Sequence, residues 1–96
     1  MTSQLTPGLD AALVALEGEE LFEIGPSLVA AVNRRVGAKL VTLSMLRDAA
    51  RVGVKTRTGE RILLVALRAG KQRWTSPAAV IRWTRAVAIA DAEGLR

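Results

Sequence analysis

Apolar positions along this chain fall into blocks whose period changes near Gly53. Before it, the spacing is helical. Leu9, Leu13 and Leu16 follow Thr6-Pro7, which predicts a short amphipathic helix capped by Thr6 and ending near Gly18 or the acidic group beyond it. Gly25-Pro26 opens a second helix, on which Leu28, Val29, Val32 and Val36 share a face. Asn33, Arg34 and Arg35 lie towards its end, and Gly37 supplies the stop. In "VTLSMLRDAARVG", Thr42 is placed to cap a third helix and Val41 to staple onto Leu46. Leu43, Met45, Leu46 and Ala50 are expected inward, with Ser44, Arg47, Asp48 and Arg51 on the other face.

Beyond Gly53, Val54 to Glu60 reads as a loop or a short strand and turn. "RILLVALR" then predicts a strand from Arg61 to Arg68, Ala69-Gly70 a turn, and "KQRWT" the return strand of a β-hairpin. Ser76 and Pro77 have the residue types of an N-cap and a first helical position. Val80, Ile81, Thr84, Val87 and Ala88 recur behind them, with Trp83 at the margin and Arg82 and Arg85 outside, as far as about Ala92. The expected class is mainly α with a β-hairpin. The last helix should cover the hairpin, with Trp74 pointing into that packing and Lys71 and Arg73 left outside.

Ninety-six residues, half of them apolar, fit one small domain with little room for a separate catalytic one. The absence of cysteine and histidine removes disulfides, thiol chemistry, the familiar hydrolytic triad and the usual structural zinc site. Asp10 and Glu60 are nominal bases and Ser76 a nominal nucleophile beside Lys71, but Ser76 has a simpler role as a helix cap. "GVKTRTGE" lacks the complete phosphate-loop signature. A non-enzymatic protein without cofactor or metal is therefore expected. With neither a basic leader nor a run of about 18 apolar residues, it is also expected to be soluble, cytoplasmic and without a membrane partner.

Charge is distributed unevenly. Residues 1–24 carry five carboxylates and no cation, whereas residues 25–90 carry thirteen cations against Asp48 and Glu60, a net +11. The division suggests an acidic N-terminal helical extension over 1–24, a basic domain over 25–93 and a tail over 94–96. A basic domain of this kind is an ordinary footprint of nucleic-acid binding.

In order, "PSLVAAVNRRVG", "VTLSMLRDAARVGV" and "GERILLVALRAGKQRWTSPAAVIRW" resemble the small DNA-binding proteins of the phage excisionase and mercury-resistance-regulator type. Their common core is a small winged helix-turn-helix domain. The resemblance covers roughly the last two-thirds of the chain. It implies a DNA-reading helix over Thr42–Val52, with Ser44, Arg47 and Arg51 near the major groove, and a wing around Gly70. Lys71 and Arg73 would then contact phosphate or a groove, with Arg68 at the strand end, and Lys55 and Arg57 complete the DNA-binding set. The chain departs from the family at Asp48-Ala49, where members often carry an aromatic after the basic residue.

The function that follows is non-catalytic binding of double-stranded DNA, regulatory or architectural, as in an excisionase or a small transcription regulator acting in phage-related recombination. One reading helix offers a limited interface, so a homo-oligomer or another DNA-bound protein is an expected partner. The alternative is a protein-binding accessory domain on a winged-helix scaffold, using Asp10 to Leu16 or "AVAIADA" as its interface. RNA binding stands third, because specific RNA modules often use exposed aromatics and this chain has few.

Overall fold

Helices start in this chain where a side chain or a proline resolves the problem of orphan N–H groups. In the computed structural model, which describes residues 13–93, helix α1 (Pro26–Val36) has proline in its first turn and ends on Gly37. There a left-handed φ of 80° turns the glycine N–H onto the Asn33 carbonyl at 2.8 Å. Helix α2 (Leu43–Arg51) is capped by Thr42, whose Oγ1 accepts from the Met45 N–H at 3.3 Å. Helix α3 (Pro77–Glu93) starts on Ser76, whose Oγ accepts from the Ala79 N–H at 2.9 Å. The helix expected from Thr6-Pro7 lies largely outside the described residues, as does the 94–96 tail. Residues 13–15 are helical, and Leu16 is buried behind them.

Among the described residues, five short strands complete a small α+β fold: β1 (Phe22–Glu23), β2 (Val54–Lys55), β3 (Arg61–Ile62), β4 (Leu67–Ala69) and β5 (Gln72–Thr75). They form two antiparallel sheets, one ordered β1-β5-β4 and the other β2-β3. The single strand expected over Arg61–Arg68 is therefore divided between two sheets. Residues 63–66 leave the ladder because tertiary partners claim their backbone. The Leu64 N–H donates to the Ala49 carbonyl at 2.9 Å, and the Val65 carbonyl accepts from Thr75 Oγ1 at 2.7 Å. The acidic N-terminal segment also contributes to the larger sheet. Phe22 pairs with Thr75 and Glu23 with Trp74, and the Ile24 N–H reaches the Arg73 carbonyl at 2.8 Å.

Leu28 and Val32 of α1, Leu46 and Ala49 of α2, Val80 and Trp83 of α3, together with Val41 and Leu64, make the buried cluster. Val41 and Leu46 thus meet in the core as the staple requires. Ala49, three residues after Leu46, is fully buried, Ala50 is half-buried and packs against the cluster, and Met45 is exposed. On α3 the buried stripe is Val80, Trp83 and Ala90 with Val87 beside it, and Ala88 faces outward.

The tryptophans exchange the roles expected of them. Trp83 lies in the centre of the packing, only 7% exposed, and its Nε1–H donates to the Ile62 carbonyl at 3.3 Å. Trp74 is half-buried and lies outside the core cluster and the residues packed on it. Strand parity explains this. Thr75 is fully buried and anchored to Val65, so its neighbour Trp74 projects to the opposite face of the sheet, alongside Leu67.

Candidate nucleic-acid interface

The exposed stripe of α2 is the complement of its buried one. Leu46 and Ala49 fix the rotation of the helix, leaving Ser44, Arg47 and Arg51 along one exposed face at i, i+3 and i+7. The pose of this helix relative to α1 is set by Asn33. Its Oδ1 accepts from the N–H groups of Leu40 and Val41 at 2.8 and 3.0 Å, and its Nδ2 donates to the Val41 carbonyl at 3.1 Å. One side chain thus satisfies three backbone groups of the connection between the helices.

The β4–β5 hairpin turns at Gly70, whose φ of 64° is a conformation that favours glycine. Arg68 braces this turn, its Nε donating to the Gly70 carbonyl at 3.3 Å. Arg73 lies directly across from Arg68 and, two residues before the buried Thr75, on the same side of β5 as that anchor.

Between α2 and the hairpin lies a groove of about 410 Å³, lined by Arg47, Asp48, Arg51, Lys71, Gln72 and Arg73, with Glu23 and Ile24 at the β1 side. Four of the residues expected to contact DNA therefore converge from segments some twenty residues apart. Asp48 takes part in an exposed pair with Arg51 at 3.5 Å. Among the described residues, Arg47, Lys71 and Arg73 are held in no ion pair. Ser44 and Arg68 are exposed but do not line the groove. Lys55 and Arg57 stand apart from it, on β2 and the turn that follows. Sequence reasoning passed over Gln72 as a groove residue, although its amide stands between two expected contacts. It also passed over Asn33, whose role is set by a connection that carries no motif.

A second polar cluster ties the acidic segment to α3. Glu19 accepts from Ser76 Oγ at 2.5 Å and takes the fork of Arg82 on both carboxylate oxygens, at 2.7 and 3.1 Å. Arg82 also donates to the Ala15 carbonyl at 3.3 Å. The Arg82 hydrogen bonds, and then that of Ser76, hold the Glu19 carboxyl below its usual value, and Glu19 in turn raises the pKa of Arg82. The Ser76 hydroxyl is buried, with its proton given to Glu19 and its lone pair to Ala79. This geometry makes it a cap and a tether.

Among the described residues, no group of three or more acidic side chains lies together so as to hold a metal ion, and no helix is long and apolar enough to cross a membrane. In comparisons with known proteins, no family model, no curated protein and no solved structure matches the chain.

Proposed function

We propose that this protein binds double-stranded DNA without catalysing a reaction on it, in a regulatory or architectural role, as a small winged helix-turn-helix domain. Helix α2 is the reading element and the β4–β5 hairpin the wing. The observation that carries this reading is the shared groove, where Arg47 and Arg51 face Lys71 and Arg73 and three of the four cations have no ion-pair partner among the described residues. Four cations set against Glu23 and Asp48 leave the groove with an excess of positive charge, and an anionic polymer relieves the repulsion among them while releasing its own condensed counterions. A short helix beside a two-stranded ribbon also suits a duplex, because the major groove admits such a helix while the ribbon tip follows the phosphates.

Binding of a fluorescent duplex of random sequence across a salt series tests the reading. If the four groove cations each neutralise a phosphate, log K against log salt should fall with a slope of about −3 to −4. Absence of binding at low salt, with the protein folded by circular dichroism, would refute it. Selection from a randomised duplex library then tests whether α2 reads bases.

A further inference from the structure

The β2–β3 hairpin presents an electrostatic arrangement that folding alone does not favour. Lys55 and Arg61 are directly opposed in register, both exposed, and among the described residues neither is held in an ion pair. Side chains directly across an antiparallel pair project from the same face, and like charges in that position destabilise the pairing. The wing repeats the pattern, with Arg68 directly across from Arg73. Two hairpins of one small domain thus each carry a cation facing a cation.

The turn that joins β2 to β3 is hydrogen-bonded both within itself and to α3. Thr56 is buried, its N–H donates to the Glu60 carbonyl at 2.8 Å, and its hydroxyl contacts the Glu60 carbonyl and the Thr58 hydroxyl at 3.0 and 2.9 Å. The turn is tied to α3 by Asp91, which accepts from the backbone N–H of Arg57 at 3.1 Å and leaves that residue's guanidinium unengaged in any described ion pair. Arg61 Nη1 donates to the Val52 carbonyl at 3.3 Å, so its side chain lies across the end of α2. Gly53 makes this approach possible. A Cβ there would come within 3.0 Å of both Arg61 Cγ and the Ile62 carbonyl oxygen, and its φ of 84° independently disfavours a side chain.

From this arrangement we propose that the β2–β3 hairpin is a second phosphate-binding element, with Lys55 and Arg61 gripping the sugar-phosphate backbone of the same duplex that occupies the groove. The proposal rests on the DNA-binding reading and adds Arg61, which the resemblance to winged-helix proteins did not assign. Reach permits it. Lys55 follows Arg51 by four residues, so their Cα atoms lie at most about 14 Å apart. At about 3.4 Å of duplex axis per nucleotide of one strand, that span is about four base-pair steps. A phosphate between Lys55 and Arg61 would replace a repulsive pair by two attractive ones, and the register of the hairpin sets the two residues opposite each other.

Lys55→Glu separates this role from a structural one, because the two predict opposite signs. Placing a carboxylate across from Arg61 converts a repulsive pair into an attractive one, so the unfolding midpoint should hold or rise. Affinity for a random-sequence 20-base-pair duplex at low salt should fall about tenfold, and the salt slope should lose about one unit. Lys55→Gln should show the same directions with smaller amplitude. Unchanged affinity and slope in both variants, alongside wild-type protein that binds the duplex, would overturn the second site and leave the groove reading standing. No binding by wild type would overturn both. If a variant loses affinity and stability together, Arg61→Lys decides: a phosphate role predicts that it keeps most of the affinity, and comparable loss in Arg61→Lys would overturn the proposal.

Discussion

Replacing Asn33 by alanine should be among the most damaging changes at a site that is not fully buried. The side chain satisfies the N–H groups of Leu40 and Val41 and the Val41 carbonyl, in bonds of 2.8, 3.0 and 3.1 Å. A net contribution of about 1 kcal/mol for each gives about 3 kcal/mol. The Leu40 N–H keeps the Ala38 carbonyl at 2.9 Å as a second acceptor and water reaches part of this half-buried connection, which together lower the expected loss to about 2 to 3 kcal/mol. Domains of this size have about 5 to 14 kcal/mol in all, so the variant should remain folded but show a large shift. Urea unfolding followed by tryptophan fluorescence is a suitable assay, since Trp83 is buried in the core that α1 and α2 share. With a slope of about 1.5 kcal/mol/M, the midpoint should fall by about 1.3 to 2 M at an unchanged slope. Arg34→Ala, at the adjacent exposed position, serves as the control and should shift stability by less than about 0.5 kcal/mol. A loss in Asn33→Ala no larger than that of the control would show that helix packing alone fixes the connection.

Three other outcomes follow from the same structure. Arg47→Ala should change base preference in a selection from randomised duplexes, by about 1 to 3 kcal/mol at the affected position, whereas Lys71→Ala should weaken all duplexes evenly; identical selected sequences for wild type and Arg47→Ala would remove the reading role. Trp83→Ala should cost about 3 to 5 kcal/mol in chemical unfolding and Trp74→Ala distinctly less, and the reverse order would contradict the assignment of Trp83 to the core. Glu19 has a carboxyl pKa depressed by Arg82 and Ser76, so its contribution is fully present above the unfolded carboxyl value, about 4.3, and is lost as pH falls through the lower folded value. Urea midpoints measured from pH 7 to pH 3 should therefore fall less steeply at the acid end in Glu19→Gln than in wild type, and parallel curves would rule out this linkage.

Local chemistry made the helix starts legible and left the sheets obscure. Pro26, Thr42 and Ser76-Pro77 act through groups within one turn of themselves, and the helices begin beside them. The run from Arg61 to Arg68 has uniform β-forming composition, yet it is broken by the Ala49 carbonyl and the Thr75 hydroxyl, which come from distant segments. Phe22–Glu23 is too short to show a period, and it becomes a strand only because β5 offers an edge. Trp74 departs from the core-facing place expected of it for a related reason. Alternation says that Trp74 and Thr75 face opposite ways, but deciding which faces inward requires knowing that Val65 holds Thr75. Arg47, Arg51, Lys71 and Arg73 can be singled out as cations from the sequence, but that they share one groove, and that Glu23, Ile24 and Gln72 join them, depends on how β1 and the hairpin meet α2.

The distribution of carboxylates bears on how a domain with a net +11 over residues 25–90 folds without giving up its exposed cations. Arg82 is neutralised by Glu19 at the start of α3, where the same carboxylate also takes the proton of the capping Ser76. Asp91 is spent on a backbone N–H, and Asp48 holds Arg51 in an exposed pair that contributes little to stability. The strongest described ion pair is thus placed where it joins the N-terminal segment to α3, while Arg47, Lys71 and Arg73 in the groove and Lys55 and Arg61 on the second hairpin have no described counter-ion. Repulsion among them is a cost to the free protein that an anionic ligand would remove. Salt should therefore raise the stability of the free domain by screening that repulsion and, if the proposed DNA binding holds, lower the affinity for duplex DNA at the same time.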